Sequence, residues 1–155
     1  MPLPFWHPAT LLATWFGAGK LPVAPGSWGS LAALPFAWGL AWFGGPFTLA
    51  AGAMVMLGAG IWASNRVVAA SGAKDPGEIV IDEVAGQWLA LAAAPLDPLA
   101  YGAGFVLFRI FDIFKPWPAS WIDRNMDGGA GIMLDDIIAG AYAGAALYFL
   151  VPYLP

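Results

Sequence analysis

Between residues 21 and 65 the chain carries no charged side chain at all. Residues 137–155 also carry none, and residues 84–108 carry only Asp97. The remaining charges sit at Lys20, within 66–83, within 109–127, and at Asp135 and Asp136. A soluble domain spreads charge over its whole surface, at about a quarter of its residues. Here 10% of residues are charged, 60% are hydrophobic, and mean hydropathy is +0.71. Ionisable side chains are costly in hydrocarbon, so the uncharged stretches read as membrane spans and the charged ones as segments that reach water.

The same composition excludes several function classes. Its apolar content excludes disorder, and the absence of cysteine excludes a disulfide scaffold. Six basic residues against ten acidic ones, for a net charge of −4, argue against binding nucleic acid. The 155 residues are expected to form one domain, 1–155.

Residues 28–43 and 46–64 are two spans separated by the breaker Gly44-Gly45-Pro46. A third runs from about Ile81 to Ala94 and ends at Pro95-Leu96-Asp97-Pro98. A fourth covers about Leu99 to Phe114 and is stopped by Pro116 and Pro118. The last begins near Leu134 and runs to Tyr148 or beyond. Phe5–Gly19 is apolar, but Pro2, Pro4 and Pro8 interrupt its start and no basic region precedes it. It therefore reads as an interfacial or re-entrant helix and not as a cleaved signal peptide. The expected fold is all-α: an integral membrane helical bundle of about five spans plus this N-terminal helix. Lys20, Arg66, Lys74, Arg109, Lys115 and Arg124 all fall at or near one end of the spans, while the loops at 44–46 and 95–98 hold no Lys or Arg. By the positive-inside rule the charged segments face the cytoplasm.

The segment Lys74-Asp75-Pro76-Gly77-Glu78-Ile79-Val80-Ile81-Asp82-Glu83 leads into the third span. Acids at a helix start suit the macrodipole. Two adjacent acids exceed what a cap requires, and the sharper reading is a hard-metal site for Mg²⁺. Asp135-Asp136 opens the last span with the same pattern of three apolar residues, two acids and another apolar residue. Two carboxylate pairs at one mouth would repel unless a cation sat among them. Glu78 is a possible further ligand. Arg109, Asp112 and Lys115 lie along one side of a helix at a spacing of three. They form either an intrahelical ion-pair ladder or a phosphate site in which Asp112 completes the metal shell. Gly17–Ser30 contains Lys20 and Ser27 but is not a Walker motif. It is a structural turn or an anion cradle formed by backbone N–H groups and Ser27. Asp123–Gly131 reads as a flexible loop, with Asp127 solvated.

No thiolate chemistry is possible without cysteine. The single histidine, His7, lies in the Pro-rich start, which leaves no candidate for a Ser-His-Asp triad. The strings GAGKLPVAPGSWGSLAALP, IVIDEVAGQW, FRIFDIFKPWP and DRNMDGGAGIMLDD closely resemble the bacterial phosphatidylglycerophosphatase A family. They stand in family order and cover most of residues 17–140. The resemblance implies an all-helical, Mg²⁺-dependent inner-membrane enzyme that takes the terminal phosphate from phosphatidylglycerophosphate and leaves phosphatidylglycerol. The family's charged positions fall on Lys20, Asp82, Glu83, Arg109, Asp112, Lys115, Asp123, Arg124, Asp135 and Asp136.

The mechanism this suggests is metal-assisted hydrolysis of a phosphate monoester. Asp82, Glu83, Asp112, Asp135 and Asp136 would hold Mg²⁺, with Asp82, Glu83, Asp112 and Asp136 taking the catalytic roles. Lys20, Ser27, Arg109, Lys115 and Arg124 would bind the phosphate. The lipid's acyl chains would stay in the bilayer, and Trp28, Trp88, Trp117 and Trp121 would anchor the mouth at headgroup level. Two other classes compete with this reading. A small ion- or proton-coupled transporter also places carboxylates in apolar helices, but it would spread them through the membrane depth. A non-catalytic assembly subunit would explain the small-residue helices but not the paired acids. The spaced-aspartate motif of the CDP-alcohol transferases is absent.

Overall fold

A computed structural model describes residues 3–155, so Pro2 lies outside the described residues. Six α-helices follow in order: α1 (Pro8–Ala13), α2 (Pro25–Ser71), α3 (Ile81–Leu91), α4 (Pro98–Phe114), α5 (Ala119–Asn125) and α6 (Gly128–Leu150). Short 3₁₀ turns cover Ala18–Lys20 and Val151–Tyr153, and no strand occurs among the described residues.

The 47 residues of α2 are two arms, because Gly45 leaves the helical region with φ 74° and ψ −166°. That conformation is open to glycine and strained for other residues. Pro46 directly after it cannot continue the preceding hydrogen-bond ladder. The arms fold back on each other: Ala33 and Ala37 of the first share a buried cluster with Leu49 and Ala53 of the second. This is the break expected at Gly44-Gly45-Pro46, with both helices extending beyond the expected limits.

The 11-residue α3 is the centre of the bundle, and nine of its residues are buried. Val84, Trp88 and Leu91 pack on α2, while Ile81 and Ala85 join Ala63, Val67 and Met133. Ala90 meets Phe108 of α4 together with Ala139 and Ala143 of α6. The α3–α6 contact is close because glycines face each other. A Cβ on Gly140 would run into the Gly86 backbone, and one on Gly86 would meet the Asp136 carbonyl and the Phe108 ring. Such small-residue contacts let helices associate where the hydrophobic effect gives little drive.

Outward-facing positions are as apolar as the interior. Phe36, Trp42, Phe43, Phe47 and Val55 are exposed on α2, as are Tyr148 and Phe149 near the end of α6. A helix facing water would be polar there, so this exterior is that of a membrane protein. By length and composition, two helical segments can cross a bilayer: Pro25–Ser71 and Gly128–Tyr153. At 11 and 17 residues, α3 and α4 fall short of the ~20 that a span requires.

Three local expectations are corrected. The last helix begins at Gly128 and not near Leu134, because the Asn65 side chain of α2 accepts the Gly129 N–H at 2.7 Å. Asp123–Gly131 is not a flexible loop, since α5 and the first turn of α6 occupy most of it. Trp88 is not an interfacial anchor. It is 5% exposed, and its indole N–H donates to the Ala33 carbonyl at 3.0 Å. At the N-terminus only the six residues of α1 are helical before the 3₁₀ turn, with His7 Nδ1 accepting the Ala9 N–H at 3.1 Å.

The glycine contact gives a direct test. Gly86→Val and Gly140→Val should each lower the melting temperature in detergent, by an overpacking cost of about 1–3 kcal/mol. Gly102→Ala, where a Cβ meets nothing within 4 Å, should melt at or slightly above the wild-type temperature.

Candidate active site

One end of the bundle holds a cavity of about 380 Å³. The first turn of α3 delivers Asp82 and Glu83 to it, and the last turn of α4 delivers Asp112. Asp135 and Asp136 reach it from two turns inside α6, and Asp123 from α5. Lys115 enters from the left-handed cap that ends α4, and Asp75 from the loop before α3. Asp127 and Lys74 complete its charged lining and form a solvent-exposed ion pair at 3.2 Å.

Two cations hold part of this negative charge. Lys115 Nζ lies 3.0 Å from Asp135 Oδ2, 3.4 Å from Asp112 Oδ1 and 3.9 Å from Asp136 Oδ1. Burial works against its ammonium charge, but Asp136, Asp135 and Asp112 outweigh that effect and hold its pKa above lysine's ordinary value. Arg109 bonds to Asp112 and stands 3.7 Å from Glu83 Oε1. Its guanidinium therefore braces α3 against α4 and does not line the cavity. Burial, followed by the neighbouring Asp123 carboxylate, raises the pKa of Asp75.

The protein's own cations leave a deficit. The cavity is lined by eight carboxylates, Asp75, Asp82, Glu83, Asp112, Asp123, Asp127, Asp135 and Asp136, against two lysines. Asp82, Glu83 and Asp136 can each turn one oxygen so that all three lie within 4.8 Å of one another. Asp82 Oδ1, Glu83 Oε2 and Asp136 Oδ2 are buried without a hydrogen-bond partner. An unmatched buried carboxylate oxygen is costly, and three converging carboxylates make a donor set for a hard divalent cation.

The other sequence candidates divide. Asp112 and Asp135 sit beside this trio with Lys115 between them, and Asp135 Oδ1 is also unpartnered. Glu78 does not join the trio, because its carboxylate takes Lys20 Nζ at 2.7 Å. Lys20, Ser27 and Arg124 do not line the cavity. The stretch around Ser27 is nonetheless close, since the backbone of Gly26 packs against Glu83 and Arg109. No sequence motif marks Asp75 and Lys74 as site residues. Their place in the acidic run just before Asp82 was the available signal.

The chain is similar to known proteins along nearly its whole length. The family model for phosphatidylglycerophosphatase A matches residues 11–151. A phosphatidylglycerophosphatase A of Escherichia coli (strain K12) is 46% identical over 153 residues, covering 97% of this chain and 86% of that protein. One of Haemophilus influenzae (strain Rd) is 39% identical over 149 residues, covering 95% and 90%. A Bacteroides thetaiotaomicron protein whose name proposes a phosphatidylinositol-3-phosphatase is 41% identical over 141 residues, covering 86% and 87%. No solved structure matches. This chain belongs to the phosphatidylglycerophosphatase A family.

Proposed function

We propose that this protein hydrolyses the terminal phosphate monoester of phosphatidylglycerophosphate, with Mg²⁺ held by Asp82, Glu83 and Asp136, in phospholipid biosynthesis. The observation that carries this reading is the trio of converging carboxylates with unpartnered oxygens, in one cavity with Lys115. A phosphomonoester is itself an anion. A pocket lined by eight acids repels it unless further positive charge is present.

When bound, Mg²⁺ supplies Lewis-acid polarisation of the phosphoryl oxygens and a water of lowered pKa. The chain's residues supply the rest. Asp135 and Asp112 hold the Lys115 ammonium at the cavity wall, where it stabilises charge on the phosphoryl oxygens. Glu83, through whichever of its two oxygens the ion would leave uncoordinated, takes the proton of the attacking water. As water's oxygen bonds to phosphorus, the bond from phosphorus to the glycerol oxygen breaks. That oxygen leaves as the hydroxyl of phosphatidylglycerol once it is protonated, and phosphate departs. Arg109 fixes the rotamers of Glu83 and Asp112 from behind and so keeps the acids convergent.

The reading also places the protein in the bacterial inner membrane as a multi-pass protein. Both arms of α2, together with α3, α4 and α6, make about five crossings, and α1 lies at the interface. The charge asymmetry supports a cavity open to the cytoplasm, since the bends at 44–46 and 95–98 hold no basic residue. The ends of the short α3 and α4 then lie among the headgroups, where Asp82, Glu83 and Asp112 meet water. A transporter reading lacks support, because the buried acids gather in one cavity and not along a path through the bundle.

Purified protein in detergent should release phosphate from phosphatidylglycerophosphate with Mg²⁺ and stop with EDTA. No release under either condition would sink the assignment. Phosphatidylinositol 3-phosphate, run in parallel, measures how far the headgroup is discriminated. Asp82→Asn and Asp136→Asn should each lower kcat by roughly 100-fold or more, since loss of even an outer-shell partner costs about 10–100-fold. Full activity in both variants would remove the proposed site. A binding readout independent of turnover is thermal: Mg²⁺ should raise the wild-type melting temperature but not that of the Asp82→Asn/Asp136→Asn double variant. Equal shifts in both would show that the ion binds elsewhere.

A further inference from the structure

A second cavity, of about 410 Å³, lies beside the acidic one and has the opposite chemistry. Its lining is Trp117, Pro118, Trp121, Ile122 and Met126, with no charged residue. Met126 lines both cavities, so the apolar groove adjoins the polar pocket across this one side chain. The short helix α5 separates them: Asp123 serves the acidic side, while Trp121 and Ile122 serve the apolar side. Trp117 is 73% exposed and Trp121 49%, so the groove is open at the surface and not part of the packed core.

The groove is also held in place. Tyr142 of α6 donates its hydroxyl proton to the Trp117 carbonyl at 2.6 Å, and its ring packs against Phe111 of α4, with centroids 5.8 Å apart. Lys115, two residues before Trp117, is tied to Asp135. The wall of the groove is therefore fixed relative to the cation that faces the phosphate.

We infer that this groove binds one acyl chain of the phospholipid substrate along more than its first eight carbons, while the phosphorylated headgroup occupies the acidic cavity. The inference rests on the lipid-phosphatase reading above. The occupant follows from adjacency and chemistry: a molecule with its phosphate among the acids and a hydrocarbon tail has only to pass Met126 to reach an uncharged aromatic wall. Each methylene buried there adds to the affinity for the lipid. The groove thereby makes the enzyme selective for long-chain lipid, beyond its general attachment to the bilayer.

The test is a chain-length comparison in detergent mixed micelles with the full chain. The substrates are dipalmitoyl and dioctanoyl phosphatidylglycerophosphate at equal mole fraction. Wild type should favour the dipalmitoyl lipid in kcat/KM. Trp121→Ala should lower that preference at least fivefold, mainly through KM for the long-chain lipid. Trp117→Ala gives a second reading should Trp121→Ala fail to extract as folded protein. A wild-type enzyme without chain-length preference would overturn the inference. So would equal losses on both lipids, which mark these tryptophans as interfacial anchors only. If wild type releases phosphate from neither lipid, the functional reading fails and the groove's role falls with it. Activity with an unchanged ratio in both variants refutes the groove alone.

Discussion

Charge at the edge of hydrocarbon has to be neutralised, and that constraint organises this molecule. Acids placed at or near the ends of apolar helices cannot simply spread into solvent. Lys115 is drawn in among Asp112, Asp135 and Asp136, and Arg109 is drawn onto Asp112 and Glu83. Each of these links joins two different parts of the chain or stiffens the end of α4. Together they tie α3, α4 and α6 at one end of the bundle. The negative charge left over is the property that would attract a metal ion and, through it, a phosphate.

In the bundle itself, packing supplies what hydrophobicity cannot. Lipid tails compete well for apolar side chains, so α3 is fixed by close backbone approach and by interhelical hydrogen bonds. Gln87 donates to the Gly104 carbonyl of α4 at 3.3 Å, and Trp88 to the Ala33 carbonyl of α2 at 3.0 Å. Such bonds in membrane proteins contribute about 0.6–2 kcal/mol each. α3 carries the two acids that begin it, so the position of Asp82 and Glu83 is as firm as these contacts make it.

The sequence was most legible where a residue's cost in lipid is high. Uncharged runs marked the helices, the Gly44-Gly45-Pro46 break marked the bend in α2, and the paired acids Asp82-Glu83 and Asp135-Asp136 do meet in one cavity. It was least legible where a distant side chain decides the outcome. The start of α6 depends on Asn65, 64 residues away in the chain, and no local pattern around Gly128 reveals that partner. Arg109 is similar: its spacing to Asp112 and Lys115 was plain, but the approach of Glu83 from another helix turns it away from the cavity. Lys20 pairs with Glu78 for the same reason, because the folds on either side of α2 bring the two loops together. Trp88 looked like an interfacial tryptophan by composition, and only the carbonyl of Ala33 shows why it is inside.

The bend at Gly45 also bears on how the chain enters a membrane. The two arms of α2 form a hairpin whose tip is Gly44-Gly45-Pro46, and in the membrane arrangement proposed above that tip is the part that would travel furthest into the bilayer. From residue 21 to residue 65 nothing in that hairpin is charged, while Lys20 and Arg66 stand at its two feet. It can insert as one unit, moving no charge through the hydrocarbon and leaving both feet on the side of entry. In that arrangement the loop before α3 would start on the side where the hairpin began, and the acidic end of the site would need no translocation to be assembled.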